Sequence, residues 1–221
     1  MTLEDKIKDI RTQLRLAMNG VVSHSMRQKG VNYRLNFGVD LPTLKQMAPR
    51  WDKDHELAQS LWREDIREFK ILAGLLQPLE SFTPELATEW AKSVGQKEIA
   101  EITAMHLFQQ VPFAFELSFR WMAHPDEMVQ ICGYLTFSRI LNTCAELDER
   151  ASNEFLSQSL SSMKDDSYAL QSASFLALRK FLAKSSKHRS YIKPLLTTFK
   201  HSSEEKEQKL YQMIQEELSY L

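Results

Sequence analysis

The 221-residue chain carries 28 Lys and Arg against 29 Asp and Glu, a formal net charge of −1, with 43% hydrophobic and 26% charged residues. This is an ordinary globular composition, long enough for a sizeable core in a single domain spanning 1–221, and its near-zero charge neither selects nor excludes nucleic acid. Six glycines and seven prolines are too few for the many turns of an all-β protein, MTLEDKIKDI lacks the apolar stretch of a signal peptide, and no run of 18 apolar residues predicts a membrane span, so a cytoplasmic protein is expected.

Leu3, Ile7, Ile10, Leu14 and Met18 form one helical stripe that opens the chain. Gly38 marks a turn that other residues would resist, and Leu41-Pro42 and Thr83-Pro84 each start a helix with Pro near its first position. His124-Pro125-Asp126 punctuates the middle. Cys132 and Cys144 fall in apolar helical stretches and read as reduced core thiols, and Ser157 to Ser162 reads as lying near a helix end. The six histidines show no metal-ligand spacing, and no phosphate-cradling glycine loop is present, so neither metal nor cofactor is expected. No stretch alternates with period two. Roughly a dozen helices of ordinary length account for the chain, which is all-α.

Four of these helices carry a small residue with a larger side chain five positions earlier: Phe69/Gly74, Ile99/Ala104, Met128/Gly133 and Tyr168/Ala173. Glu68, Glu98 and Glu127 stand six before the first three small residues, which lie 30, 29 and 40 positions apart along the series. A small side chain at a fixed place lets a neighbouring helix approach closely, as stacked helix pairs require. A non-repetitive bundle is the alternative.

Charge is unevenly spread. Residues 167–203 contain no acid but hold Arg179, Lys180, Lys184, Lys187, Arg189, Lys193 and Lys200, whereas 146–166 hold six acids against Arg150 and Lys164. Such a stretch can contact phosphates or form a solvated face that balances its acidic neighbours. Charge alone leaves both open.

Two segments carry a resemblance. Leu35 to Pro42 contains Phe37-Gly38-Val39 and then Pro42, and Leu61-Trp62-Arg63-Glu64-Asp65-Ile66-Arg67-Glu68-Phe69 follows, with weaker likeness at Arg120-Trp121-Met122-Ala123 and Leu178-Arg179. In this order and spacing, over about residues 26–185, the chain resembles the AlkD-like family of DNA alkylation repair glycosylases. The resemblance implies a right-handed superhelix of HEAT-like helix pairs whose basic concave face cradles duplex DNA, as a monomer without cofactor or metal. It also implies hydrolysis of the N-glycosidic bond of cationic alkylated purines, with a carboxylate stabilising the sugar's developing positive charge beside tryptophans and an arginine. Read from the residues alone, Gly38, Pro42, Trp62 and Phe69 are structural, and Arg67 and Glu68 are either interhelical pairs or solvated charges.

At the family's functional positions the sequence departs. Glu101 stands for the family's aspartate and is the candidate catalytic residue. Lys97 stands for its tryptophan, Ile131 for its arginine, Leu176 for a second tryptophan and Lys29 for a tyrosine. A one-residue slip would exchange Glu101 for Glu98 without restoring an aromatic partner. Lys97 and Glu101, at i and i+4, are placed to pair. The candidate DNA-binding residues are Arg179, Lys180, Lys184, Lys187, Arg189 and Lys193. The functional expectation is therefore duplex DNA binding with reduced or altered glycosylase activity. The alternative is a catalytically silent scaffold for DNA structures or a protein partner.

Overall fold

The computed structural model describes residues 1–144 and 146–221, and every regular element in them is helical. The described residues form two compact units, Met1–Val111 and Pro112–Leu221. The first holds α1 (Leu3–Leu16), α2 (Gly20–Gln28), α3 (Leu41–Met47), α4 (His55–Arg63), α5 (Arg67–Leu76), α6 (Pro84–Lys92) and α7 (Lys97–His106). The second holds α8 (Ala114–Met122), α9 (Glu127–Ile140), α10 (Glu149–Ser162), α11 (Tyr168–Lys184), α12 (Ser186–Lys200) and α13 (Glu205–Ser219).

Local chemistry sets the helix starts. The side chains of Thr2, Asn19, Asp40, Asp54, Thr83, Asp126, Asp148, Ser167 and Ser185 each accept a backbone N–H of the helix they precede, which satisfies donors that helix geometry leaves open. The first stripe is shorter than expected. Ile10 and Leu14 are buried, but α1 ends at Leu16 and Met18 is exposed, because Asn19 begins the next helix. Cys132 is buried in α9, whereas Cys144 lies half-buried beyond its end.

The four helices with small residues are α5, α7, α9 and α11, and all four small residues are buried. In the first unit α5 packs on α3, α4 and α7; in the second α9 packs on α8 and α11. α5 and α9 are buried nearly all round, as a helix enclosed by neighbours must be. A Cβ on Gly133 would stand 2.8 Å from the Met122 backbone nitrogen and 3.0 Å from the Ser118 carbonyl oxygen, so glycine permits the α8–α9 approach. Gly74 differs, since nothing lies within 4 Å of an added Cβ; its smallness is not what lets α5 pack. The repeated glutamates also hold neighbours together. Glu98 on α7 reaches back to Arg67 at the start of α5, and Glu127 on α9 accepts from the Ser167 hydroxyl that caps α11.

The segment before α3 is fixed from two sides. Leu35 bridges to Ile66, donating to the Asp65 carbonyl at 3.3 Å and accepting from the Arg67 N–H at 3.2 Å. Glu68, 0% exposed, accepts the N–H groups of Phe37 and Val39 at 3.0 and 3.2 Å. Arg67 donates to the Val39 carbonyl at 2.8 Å, to Glu68 at 3.1 Å, and to both Glu98 oxygens at 2.9 and 2.5 Å. Gly38 then lies against α2, with φ +72° and a hypothetical Cβ only 2.2 Å from the Asn19 carbonyl oxygen. Of the two sequence readings, interhelical pairing holds for Arg67, which meets Glu98 of α7; Glu68 fits neither, since it binds the backbone before α3 and Arg67 of its own helix.

In the first unit Trp62 and Trp90 stack at 4.0 Å. In the second, Phe137, Phe155, Phe181 and His188 form a line of rings from α9 through α10 and α11 to α12, with successive centroids 4.8, 5.1 and 4.5 Å apart. The serine run ends α10 and supplies polar contacts at its packed face: Ser159 bonds Ser174 of α11 at 2.9 Å, and Ser162 bonds Tyr134 of α9 at 2.8 Å.

Replacing Gly133 by Leu forces α8 and α9 apart and is expected to cost roughly 1–3 kcal/mol. Gly74→Ala meets no neighbour and gains about 0.5–1 kcal/mol from helix propensity. Glu68→Ala leaves the Phe37 and Val39 N–H groups without their acceptor in the core, removes one of Arg67's two carboxylate partners, and costs about 3–5 kcal/mol. Urea unfolding of the three variants beside the parent checks both the order and the signs.

Candidate nucleic-acid interface and carboxylate site

At the start of α7 three charged side chains follow one another within five residues. Lys97 and Glu101 are partly exposed, and their Nζ and Oε1 atoms lie 3.9 Å apart, the one-turn pairing that their spacing allows. Glu98 is engaged by Arg67 through both carboxylate oxygens. The two carboxylates therefore differ in kind. Glu98 belongs to the packing of α5 against α7, whereas Glu101, facing Lys97, is the one exposed to solvent.

The other positions aligned with the family's site residues are scattered in character. Ile131 is 0% exposed in α9, so no cation could occupy that place without displacing core. Leu176 on α11 is partly exposed, and Lys29 is exposed at the end of α2. Trp62 is already engaged within the fold: the Lys70 ammonium lies 4.7 Å from its ring centroid, and its indole N–H donates to the Ser93 hydroxyl at 2.8 Å. Trp90 donates to Gln59 at 3.1 Å. Both tryptophans are core residues.

In the second unit the basic stretch divides by how each side chain is used. The Arg179 Nε lies 2.8 Å from a Glu217 oxygen on α13. Lys184 donates to the carbonyls of Leu141 and Cys144 at 2.9 and 2.8 Å, where α9 ends, and Arg189 donates to the Leu182 carbonyl at 3.1 Å near the end of α11. These two offset the partial negative charge of helix C-termini. Lys180 makes one exposed bond, to Asn142 at 3.3 Å. Lys187, Lys193 and Lys200 are exposed on α12. Lys193 and Lys200, seven apart, share one face and line a groove of about 380 Å³ with Tyr211 and Gln215 of α13.

Sequence reasoning missed α13. Its acids reach back to the second unit's bases: Glu217 to Arg179, and Glu207 to Lys164 at 3.1 Å, while its Lys206 pairs with Asp166 at 2.7 Å. The signal was present in the sequence, since the acid-free stretch ends where Glu204, Glu205 and Glu207 begin.

This all-helical arrangement, with close helix pairs and a repeated small position, defines a HEAT-like helical repeat protein. A family model described as DNA alkylation repair enzyme matches residues 10–193. The chain belongs to that family. Among solved structures it is similar to one reported as a new family of proteins related to the HEAT-like repeat DNA glycosylases with affinity for branched DNA structures. The TM-score is 0.74 and the identity 15%, covering 84% of this chain and 80% of that one. No curated protein sequence matches. Among the described residues no helix is long and apolar enough to cross a membrane.

His188 lies between the candidate contacts Lys187 and Arg189 and is itself buried. Its Nε2 accepts the Leu147 N–H at 3.1 Å and its ring stacks on Phe181. Burial holds its pKa below the ordinary histidine range. The folded chain thus keeps His188 neutral while the unfolded chain protonates near pH ~6.5, so its contribution is present above that value and lost as pH falls below it. Melting temperature is expected to drop from pH ~7 to pH ~5, and to drop less in His188→Gln, which keeps an acceptor for Leu147 without titrating. Parallel profiles for the two proteins would show that the ring is not held neutral.

Proposed function

We propose that the protein binds duplex DNA through exposed lysines of its carboxy-terminal unit and excises alkylated purines weakly or not at all. The observation that carries the second half is the carboxylate's setting. Hydrolysis of an N-glycosidic bond needs an unshielded negative charge beside a sugar that is becoming positive. Glu101 instead faces its own Lys97 at 3.9 Å, where the family places an aromatic ring. Lys97 also repels a cationic base that a tryptophan would attract by about 0.5–2 kcal/mol. Loss of one group aimed at the reacting centre costs about 10²–10³ in rate, and here the aromatic and cationic partners are both replaced.

For DNA, the supporting features are Lys187, Lys193 and Lys200 on α12, Lys180 on α11, and family membership. Arg179, Lys184 and Arg189 belong to the same proposed surface but are partly satisfied within the fold. Arg179 meets a phosphate at the expense of Glu217. Contacts of this kind track a backbone without reading bases. The structural neighbour's reported affinity for branched DNA makes junctions and flaps the DNA forms to compare with linear duplex. A protein-binding scaffold is the second reading. It is favoured by the apolar-lined groove of about 510 Å³ that includes Tyr191, Leu195 and Phe199.

Binding to fluorescent linear and branched duplexes, titrated against salt, tests the proposal. If about three phosphates are engaged, log K against log salt has a slope of about −3, and Lys187→Gln with Lys193→Gln flattens it by about two units. Arg179→Ala alone changes it less. Release of N7-methylguanine from methylated duplex is expected to be negligible, and Glu101→Gln leaves binding unchanged. Efficient excision abolished by Glu101→Gln would overturn the catalytic half. Absence of binding even at ~20 mM salt, where screening is weak, would overturn the DNA half and leave the protein scaffold.

A further inference from the structure

We propose that a small cavity in the first unit, lined by neither Glu101 nor any lysine of α12, is a binding site for a phosphate-class oxyanion. The cavity holds about 160 Å³ and is lined by Tyr33, Arg63, Asp65, Lys70, Gly95 and Gln96 among others. That is room for about five waters, or for one tetrahedral oxyanion with its hydration partly stripped.

Three independent features point to an anion. The first is Lys70, only 8% exposed. Its ammonium donates to the Trp62 carbonyl at 2.9 Å and lies over the Trp62 ring, and among the described residues it has no carboxylate within ion-pair distance. Asp65 is close enough to act on Lys70 through space, but one of its oxygens is occupied by the Arg34 N–H at 2.8 Å. A buried cation without a hydrogen-bonded counter-ion is costly, and burial accordingly holds its pKa below the ordinary lysine range. The second is Tyr33, 9% exposed, whose hydroxyl is buried without a hydrogen-bond partner. Native folds seldom leave such a donor unused. The third is the start of α7. Its N-cap, Gln96, makes no side-chain cap bond, Gly95 before it takes φ +70°, and both line the cavity at the point where the chain enters α7. Arg63 adds an exposed guanidinium, giving two cations against the single carboxylate of Asp65. Glu98 and Glu68 also act on the Tyr33 phenol through space, and both carboxylates are engaged by Arg67, which offsets them.

An ammonium, a guanidinium and a phenol together make a donor set for phosphate oxygens. The phosphoryl group can come from inorganic phosphate or from the terminal phosphate of a DNA strand. The inorganic case needs no nucleic acid, so this site and the duplex-binding reading can fail separately.

The test is an amide-shift titration of the full ¹⁵N-labelled chain at constant ionic strength. One arm uses inorganic phosphate; the other uses short oligonucleotides with and without a 5′-phosphate. Saturable shifts confined to residues 32–33, 63–65, 70 and 93–98 are expected. Arg63→Ala should weaken binding about tenfold, as loss of one charge-assisted contact does. Tyr33→Phe removes a hydroxyl with no partner in the fold, so it should stay folded and bind several-fold more weakly. Saturation by inorganic phosphate identifies a free anion. Saturation by phosphorylated ends alone identifies a strand terminus. Either result supports the site. Shifts that never saturate, that chloride reproduces, or that persist unchanged in Tyr33→Phe and Arg63→Ala would overturn it.

Discussion

The Glu68 carboxylate, wholly buried, accepts the N–H groups of Phe37 and Val39 while Arg67 holds Glu68, Val39 and Glu98 together. A buried charge this well satisfied is expensive to form and more expensive to disturb, since removing one member leaves the others uncompensated. Its value here is geometric. It fixes the segment before α3 against α5, and through Glu98 it fixes the start of α7 relative to the start of α5. The positions of Lys97 and Glu101 follow, because they stand on that first turn and a half of α7. Gly38 belongs to the same constraint: with Phe37 and Val39 held by Glu68, the chain between them must pass close under the Asn19 carbonyl, where only glycine fits.

Much of this was legible in the sequence. Helical periodicity marked the first helix and Pro42 and Pro84 the starts of two others, and the repeated position picked out α5 and α7, which pack on each other in the first unit, and α9 and α11, which do so in the second. Trp62 and Phe69 were core as their pattern required. What could not be read was the kind of charge each polar residue carries. Arg67 and Glu68 look like any surface pair in the linear sequence; their burial depends on a loop some thirty residues away. The small-residue rule likewise could not tell Gly133, which a backbone crowds, from Gly74, which has open space. Periodicity reports which face is inward, and tertiary approach decides how near the neighbour comes.

The carboxy-terminal charges show the same limit. A stretch without acids suggested a continuous basic face, but helix ends draw cations to their carbonyls. Lys184 and Arg189 sit at such ends. Arg179 found a partner on α13, which lies beyond the segment matched by the family model. Arg179 is half-exposed and its pair lies near solvent, where an ion pair is worth about 0–1 kcal/mol. A phosphate can therefore compete for Arg179, whereas Lys184, tied to two carbonyls at the end of a helix, has less to gain.

Binding and bond cleavage make different demands on such a scaffold, and in the proposed reading this chain meets them unequally. Phosphate contacts are additive, tolerate loose geometry and need only positive charge at the surface. An oxocarbenium-like transition state needs a bare carboxylate, a dry wall and a cation held in fixed relation, and its stabilisation falls steeply when any one of these is lost. In this fold the start of α7, which carries Lys97 and Glu101, is tied to α5 through Glu98 and Arg67. On the alignment that the resemblance implies, Lys97 stands where the family has a ring, and buried Ile131 where it has an arginine. Restoring a tryptophan at position 97 alone would remove the competing ammonium but leave position 131 closed, because an arginine there has no room and no solvent to receive its charge. On that alignment the two replacements are of different kinds, one reversible by a surface substitution and one built into the packing of α9.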